Sequence, residues 1–170
     1  MYELRELNVR DIEEEYGFIK DIPKEESGFE NPYYGISFTE FATNAISERL
    51  DSSHGIVHTE GYVPDTWYIL YVDNTPVSLF HFRHYLNDYL KNHGGHIGYF
   101  TTPMERNKGY AKIGLSMLIT VVKPMMIPSE DKLYFEIQKT NIASRKVLLS
   151  IGAYSHHTTE TSEYFRLKIK

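Results

Sequence analysis

Cysteine is absent from the 170 residues, which removes any disulfide framework and any thiolate zinc site. No apolar run approaches the length that crosses a bilayer. The opening MYELRELNVRD lacks the apolar core of a signal peptide, so a cytoplasmic protein is the expectation. Positive charge is in deficit, with 18 Lys and Arg against 23 Asp and Glu for a net charge of −5. Neither nucleic acid nor a membrane surface is an expected partner for such a chain. An anion would have to be held by local geometry rather than by overall charge. Internal repeats and low-complexity tracts are lacking too.

What is present belongs to a globular chain: 41% apolar and 24% charged residues, long enough for one cored domain over 1–170 and short for two. Aromatics reach 14%, with fourteen tyrosines, a bias that suits strands and core. Alternation predicts a first strand over 2–7. A helix follows, capped by Asn8 or Asp11 and carrying Ile12, Tyr16 and Ile19. The run Glu13, Glu14, Glu15 reads as its solvated, dipole-favoured first turn. Residues 23–35 read as a loop. Ser37 and Glu40 have capping-box spacing before a helical stripe that runs from Phe38 to Leu50, and 51–64 reads as turn-like.

Two runs, 67–72 and 77–85, joined by a polar turn at 73–75, predict a hairpin. Residues 86–95 are irregular, and a strand begins at His96. A helix after Gly109 should end before Pro124, a strand covers 133–138, and Asn141 or Thr140 caps a helix that stops at Gly152. Two strands fill the tail. The expected class is mixed α/β (α+β), an antiparallel meander passing into a β-α-β-α unit.

The stretch HIGYFTTPMERNKGYA, 96–111, carries the strongest chemical signal. A strand delivers the basic turn of Arg106, Asn107, Lys108, Gly109, Tyr110 and Ala111 to a helix whose first N–H groups have no partners inside it, which suits a phosphate. Alternatively, Gly109 only permits a tight turn. The turn lacks the second Gly and the Gly-Lys-Ser/Thr ending of a P-loop, and it is no G-x-G-x-x-G fingerprint.

Arg106-x-x-Gly109-x-Ala111 resembles the cofactor motif of the GNAT superfamily of N-acetyltransferases. Asn141, Ser144 and Gly152, one strand later, resemble its second motif. The segments GYVPDTWYILYVDNTPVSLFHFRHYLN and GGHIGY are similar to a bacterial subgroup of predicted acetyltransferases. This resemblance implies a mostly antiparallel mixed sheet with splayed central strands flanked by helices, and acetyl-coenzyme A as acyl donor without a metal. It implies pantetheine contacts at the Phe100 and Thr101 backbone and pyrophosphate on the N–H groups of 107–111. Asn141 and Ser144 would make further cofactor contacts, although Asn141 is equally a plain N-cap.

The implied chemistry is direct acetyl transfer to a primary amine of a small molecule or peptide, since no Cys can form an acyl-enzyme. His96 stands where several relatives carry a Glu and is the candidate base, its ordinary pKa near ~6.5 suiting neutral pH; Glu136 is the weaker alternative, and the bland reading of His96 is a strand-end residue satisfied by backbone. Arg83, His84 and Asn87 are candidates for the acceptor pocket. Glu25, Glu26, Glu30 and Asp51 would suit a cationic amine or simply be solvated. The pairs His81/His84 and His93/His96 point to opposite strand faces and predict no metal. Leu148 and Ala153 depart from the pattern, in which a Tyr acts as general acid ahead of a Gly-Phe pair. That departure sustains a second reading, a catalytically inactive acyl-coenzyme A-binding module or sensor. A third is an unrelated nucleotide-binding protein. The tail hairpin is a candidate for pairing two copies.

Overall fold

Residues 1–169 are described in a computed structural model. A four-stranded antiparallel sheet has the order β1 (Tyr2–Glu6), β4 (Asp65–Val72), β5 (Thr75–Arg83), β6 (Ile97–Thr101). A second, three-stranded sheet runs β7 (Lys132–Gln138), β9 (Ser162–Lys168), β8 (Tyr154–Thr158). Strand alternation sorts the apolar residues between two cores. Tyr68, Leu70, Phe80, Phe82 and Ile97 pack on one face with Leu115, Leu118 and Val122 of α5 (Tyr110–Val122) and Leu148 of α6 (Ile142–Ser150). Trp67, Ile69, Tyr71, Leu79 and Phe100 pack on the other face beneath α1 (Ile12–Ile19) and the helical stretch α2 (Phe38–Glu40), a π-helical turn Phe41–Ala45, and α3 (Ile46–Ser53).

Local chemistry explains the joints. Asp73 and Asn74 both adopt positive φ, 49° and 64°, the two-residue turn that matches the twist of a hairpin. Ser37 Oγ accepts from Glu40 N (3.2 Å), the cap expected there. Gly114 lets α5 lie directly on the sheet, since a Cβ would stand 2.3 Å from Phe80 Cζ.

Three expectations change. Residues 23–35 hold a small hairpin, β2 (Glu25–Glu26) and β3 (Phe29–Glu30), turned by Ser27 and Gly28 at φ 52° and 88°. Residues 86–95 hold a short helix, α4 (Asp88–Asn92), whose five residues are too few to show periodicity. The acidic start of α1 is not wholly solvated: Glu13 and Glu14 are exposed, but Glu15 is fully buried.

Both Glu15 oxygens accept from Asn8 N (3.2 and 3.1 Å), and Asn8 Nδ2 adds a third bond at 3.1 Å. Burial nevertheless outweighs these bonds and pushes the carboxyl's pKa up to about 8. The fold therefore binds a proton that the unfolded chain releases near its ordinary value, so this carboxyl's contribution to stability falls as pH rises from ~4.5 to ~8, opposite in sign to that of the buried histidines. Glu15→Gln should flatten that slope. Thermal unfolding followed across this pH range tests it, and an unchanged slope in the variant would remove Glu15 as its source.

Candidate active site

Among the described residues, backbone hydrogen bonds join the two sheets at one end of β6 and β7. Arg83 N bonds to His96 O (2.8 Å) and Thr102 N to Val77 O (3.1 Å). The β5–β6 register between them is uninterrupted, so the even residues of β6 turn their backbone groups toward β5. On β7 the odd residues face β9, as Lys139 N to Thr161 O (2.9 Å) and Ile169 N to Asp131 O (3.1 Å) show for its two ends. The remaining edges, 97, 99 and 101 on β6 and 134, 136 and 138 on β7, therefore face each other.

They touch at a vertex, where His96 N donates to Tyr134 O (2.8 Å) and Gly95 bridges Phe135. Beyond it no hydrogen bond joins β6 to β7 backbone-to-backbone among the described residues. Two open edges of this kind can take an extended ligand by hydrogen bonding, as a sheet takes a strand. Gly95 is needed at the vertex: at φ 69° a Cβ would lie 2.3 Å from Tyr134 O.

The turn 106–111 lies past the far end of β6. Asn107 (φ 64°) and Gly109 (φ 84°) curl it ahead of α5. The N–H groups of 107–111 have no acceptor among the described residues, so five donors converge at a helix N-terminus. Arg106 points elsewhere. Its Nε donates to Thr101 O (3.0 Å), its Nη2 to Glu26 Oε1 (2.6 Å), and its guanidinium lies 5.5 Å from the Phe100 ring centre. Lys108 pairs with Glu105 (2.9 Å).

The face of the opening turned away from α5 and α6 carries the ionisable groups. Glu136 accepts from Gly94 N (2.5 Å) and from the Tyr164 hydroxyl (3.1 Å). Burial, followed by the Glu136 charge, raises the Tyr164 pKa and keeps the phenol protonated. Arg83 donates to Gly95 O (2.9 Å). His81 Nε2 lies 2.6 Å from Asp65 Oδ2. Burial works against ionising Asp65, but His81, Arg49 (2.8 Å) and Ser52 together hold its pKa well below the ordinary value. Burial, then the Arg83 charge, lowers the His81 pKa, and the ring lies against Asp65 and Trp67 on the face of β5 that also carries Arg83. Phe29 roofs this face, over Gly98 and 5.8 Å from Phe100, while Gly28 abuts Gln138.

No protein-family model matches the chain, and no curated protein matches it in sequence. Solved structures do. A ribosomal L7/L12 alpha-N-protein acetyltransferase, RimL, bound to coenzyme A, superposes with TM-score 0.71 at 14% identity over 98% of this chain and 93% of its own. A GNAT-family acetyltransferase from Streptococcus pneumoniae gives 0.67 at 10% identity over the whole of both chains. The putative acetyltransferase yncA from Salmonella typhimurium, with acetyl-coenzyme A, gives 0.64 at 11% identity over 99% and 94%. The fold is that of the GNAT acetyltransferases.

On this GNAT fold the expected residues separate. Thr101 lies on the open edge of β6, whereas ladder alternation turns the Phe100 backbone toward β5 and offers Tyr99 instead. Asn107, Lys108, Gly109, Tyr110 and Ala111 form the donor-rich turn, but Arg106 is committed to Thr101 and Glu26. Asn141 Oδ1 caps α6 by accepting from Ser144 N (3.0 Å), and no acceptor is recorded for its Nδ2. Of the acceptor candidates only Arg83 faces the opening. His84 sits on the other face of β5 against Thr66 (2.8 Å), and Asn87 caps α4 while donating to Gly61 O (3.0 Å).

His96 requires a correction. Its side chain is 0% exposed, its Nδ1 accepts from Tyr134 N (3.0 Å), and its Nε2 donates to Glu130 (2.9 Å). Burial lowers its pKa, and neither nitrogen is open to a substrate. Glu130 also accepts from Leu86 N (3.0 Å), so the pair staples the vertex together. Leu148, where a general-acid Tyr was absent, is fully buried core. Sequence reasoning missed Tyr164, Asp65 and His81. His81 alternates onto the face of Arg83, which was a usable signal; Tyr164 had none. Among the described residues no group of three His, Cys, Asp or Glu could hold a metal, and no helix is long and apolar enough to cross a membrane.

Proposed function

We propose that this chain belongs to the GNAT superfamily and transfers the acetyl group of acetyl-coenzyme A directly to a primary amine. The observation that carries the reading is the continuity of three features: the unpaired inner edges of β6 and β7, the donor turn at 107–111 beyond one end, and an ionisable face with Glu136 along one side. Pantetheine pairs with the backbone edge at Tyr99 and with the Thr101 N–H, the Thr101 carbonyl being held by Arg106 Nε (3.0 Å), while the pyrophosphate takes the N–H groups of 107–111. Asn141 Nδ2 and Ser144 border the same passage from α6.

Glu136 accepts a proton from the incoming ammonium. The free amine attacks the thioester carbon, the C–N bond forms, the C–S bond breaks, and the extra proton left on the nitrogen passes to solvent. The departing thiolate takes a proton, for which the Tyr164 phenol, donating to Glu136, is the nearest placed donor; Glu136 then re-protonates it. His96 serves by holding the vertex. Tyr164 also supplies a hydroxyl that Leu148 cannot, which favours an enzyme over an inactive binding module.

Thiol release from acetyl-coenzyme A, assayed against a panel of amines, tests the activity; tight coenzyme A binding with no turnover would return the binding-module reading. The phosphate site has its own test. No atom outside its chain neighbours lies within 4 Å of a Cβ built on Gly109, so Gly109→Val strains only a positive φ, about 1 kcal/mol. The added side chain would crowd the anion, and calorimetry should show coenzyme A affinity reduced roughly tenfold or more. Unchanged affinity would move the phosphate site elsewhere.

A further inference from the structure

The acceptor-side face holds a guanidinium whose surroundings leave it short of an anion. Arg83 is mostly buried, yet the one hydrogen bond of its side chain among the described residues goes to a neutral carbonyl, Gly95 O. Its fork lies along Gly94, 3.5 Å from the Cβ position there. No carboxylate comes within ion-pair distance of it among the described residues. Burial pushes its pKa down, with Asp65, Glu30, Tyr62 and Tyr89 opposing from farther away. Tyr62 and Tyr89 are largely exposed, 71% and 69%, and mark the open side of the site.

Glu136 sits on the other flank of the same dipeptide, 2.5 Å from Gly94 N. Guanidinium and carboxylate thus flank Gly94 and Gly95 without pairing with each other, each held by backbone. Planar guanidinium donors suit a two-oxygen anion. A second arginine on this face, Arg166, pairs with no carboxylate among the described residues and lies 3.5 Å from the Tyr134 ring centre. Such a face fits a ligand that bears both charges, and a plain polyamine would meet Arg83 with the wrong sign.

We propose that the acceptor carries a carboxylate beside its amine, as an amino acid or close analogue does, with Arg83 taking the carboxylate and Glu136 the ammonium. This rests on the acetyltransferase reading, whose acceptor it narrows.

The test is thiol release from acetyl-coenzyme A with the common L-amino acids, each set beside its carboxamide, and with 1,4-diaminobutane as an amine lacking any anion. For the amino acid turned over best, kcat/KM should exceed that of its carboxamide by roughly 100-fold. In Arg83→Gln the ratio should fall to within about threefold, and in Arg83→Lys, which keeps charge without the fork, to an intermediate value. Should Arg83→Gln fail to fold, the intermediate ratio in Arg83→Lys carries the test. Carboxamides or the diamine turned over as well as the amino acids would overturn the proposal while leaving the acetyltransferase standing, as would a ratio unaltered in both variants. Bound coenzyme A with no amine turned over overturns it together with the acetyltransferase reading and returns the binding module. Neither turnover nor coenzyme A binding would bring down the acetyltransferase reading and this one with it.

Discussion

Glu136→Gln should lower kcat by roughly 10²–10⁴-fold, the usual worth of a positioned general base, with coenzyme A affinity unchanged. The substitution is nearly isosteric. An amide oxygen can still accept from Gly94 N, and the amide N–H can donate to the Tyr164 oxygen, so the bonds recorded for Glu136 at 2.5 and 3.1 Å both have replacements. What disappears is a group able to take a proton from an ammonium beside the opening. Steady-state thiol release and calorimetry on the same preparation separate the two effects. Activity within about threefold of wild type would exclude Glu136 as the base. The neutral His81, backed by Asp65 at 2.6 Å, would then be the next group to test.

The largest loss of stability should come from His96→Ala, about 3–5 kcal/mol. Three causes act together. A fully buried ring is removed and leaves a cavity. Tyr134 N loses its acceptor, and the Glu130 carboxylate loses a donor in a place where only 14% of its side chain is exposed. The vertex that joins the two sheets also loosens. Because the fold holds His96 neutral, the unfolded chain gains protons below ~6.5 that the native state does not bind, so this contribution shrinks as the medium turns acidic. Chemical denaturation gives the stability difference. The pH–rate profile of the folded variant in the thiol-release assay gives the second readout, and it should match wild type; a displaced acid limb would restore His96 to the chemistry.

The reasons for what could and could not be read from the chain are physical. The donor turn was legible because everything that makes it, a strand end, Gly109 and a helix start, lies within a few consecutive residues. The capping by Ser37 and Asn141 and the turn at Asp73 and Asn74 were legible for the same reason. His96 was not, because its role depends on Glu130, 34 residues on, and Tyr134, 38 residues on. Spacing alone cannot distinguish a buried staple from a base. Glu15 looked like an ordinary acidic helix start until Asn8 and the core closed over it. The hairpin at 25–30 hid behind a composition that reads as loop, though its Ser27-Gly28 pair is a turn signal. Arg83 and His84 were adjacent candidates, and the two-residue period of a strand puts adjacent residues on opposite faces.

The open inner edges of β6 and β7 carry a hazard as well as a use. Unpaired strand edges invite pairing by another chain, and proteins usually blunt them with charge, proline or a covering element. Here the protection is steric. The edges diverge from the clamped end at Gly95, so a foreign strand would find register with one edge or the other and never with both. Phe29 roofs the passage from one side, and Tyr99, donating to Ser144 O at 3.4 Å, ties it to α6 on the other. The protein thus keeps two unpaired strand edges at its centre and covers them on both faces instead of blunting them with charge or proline.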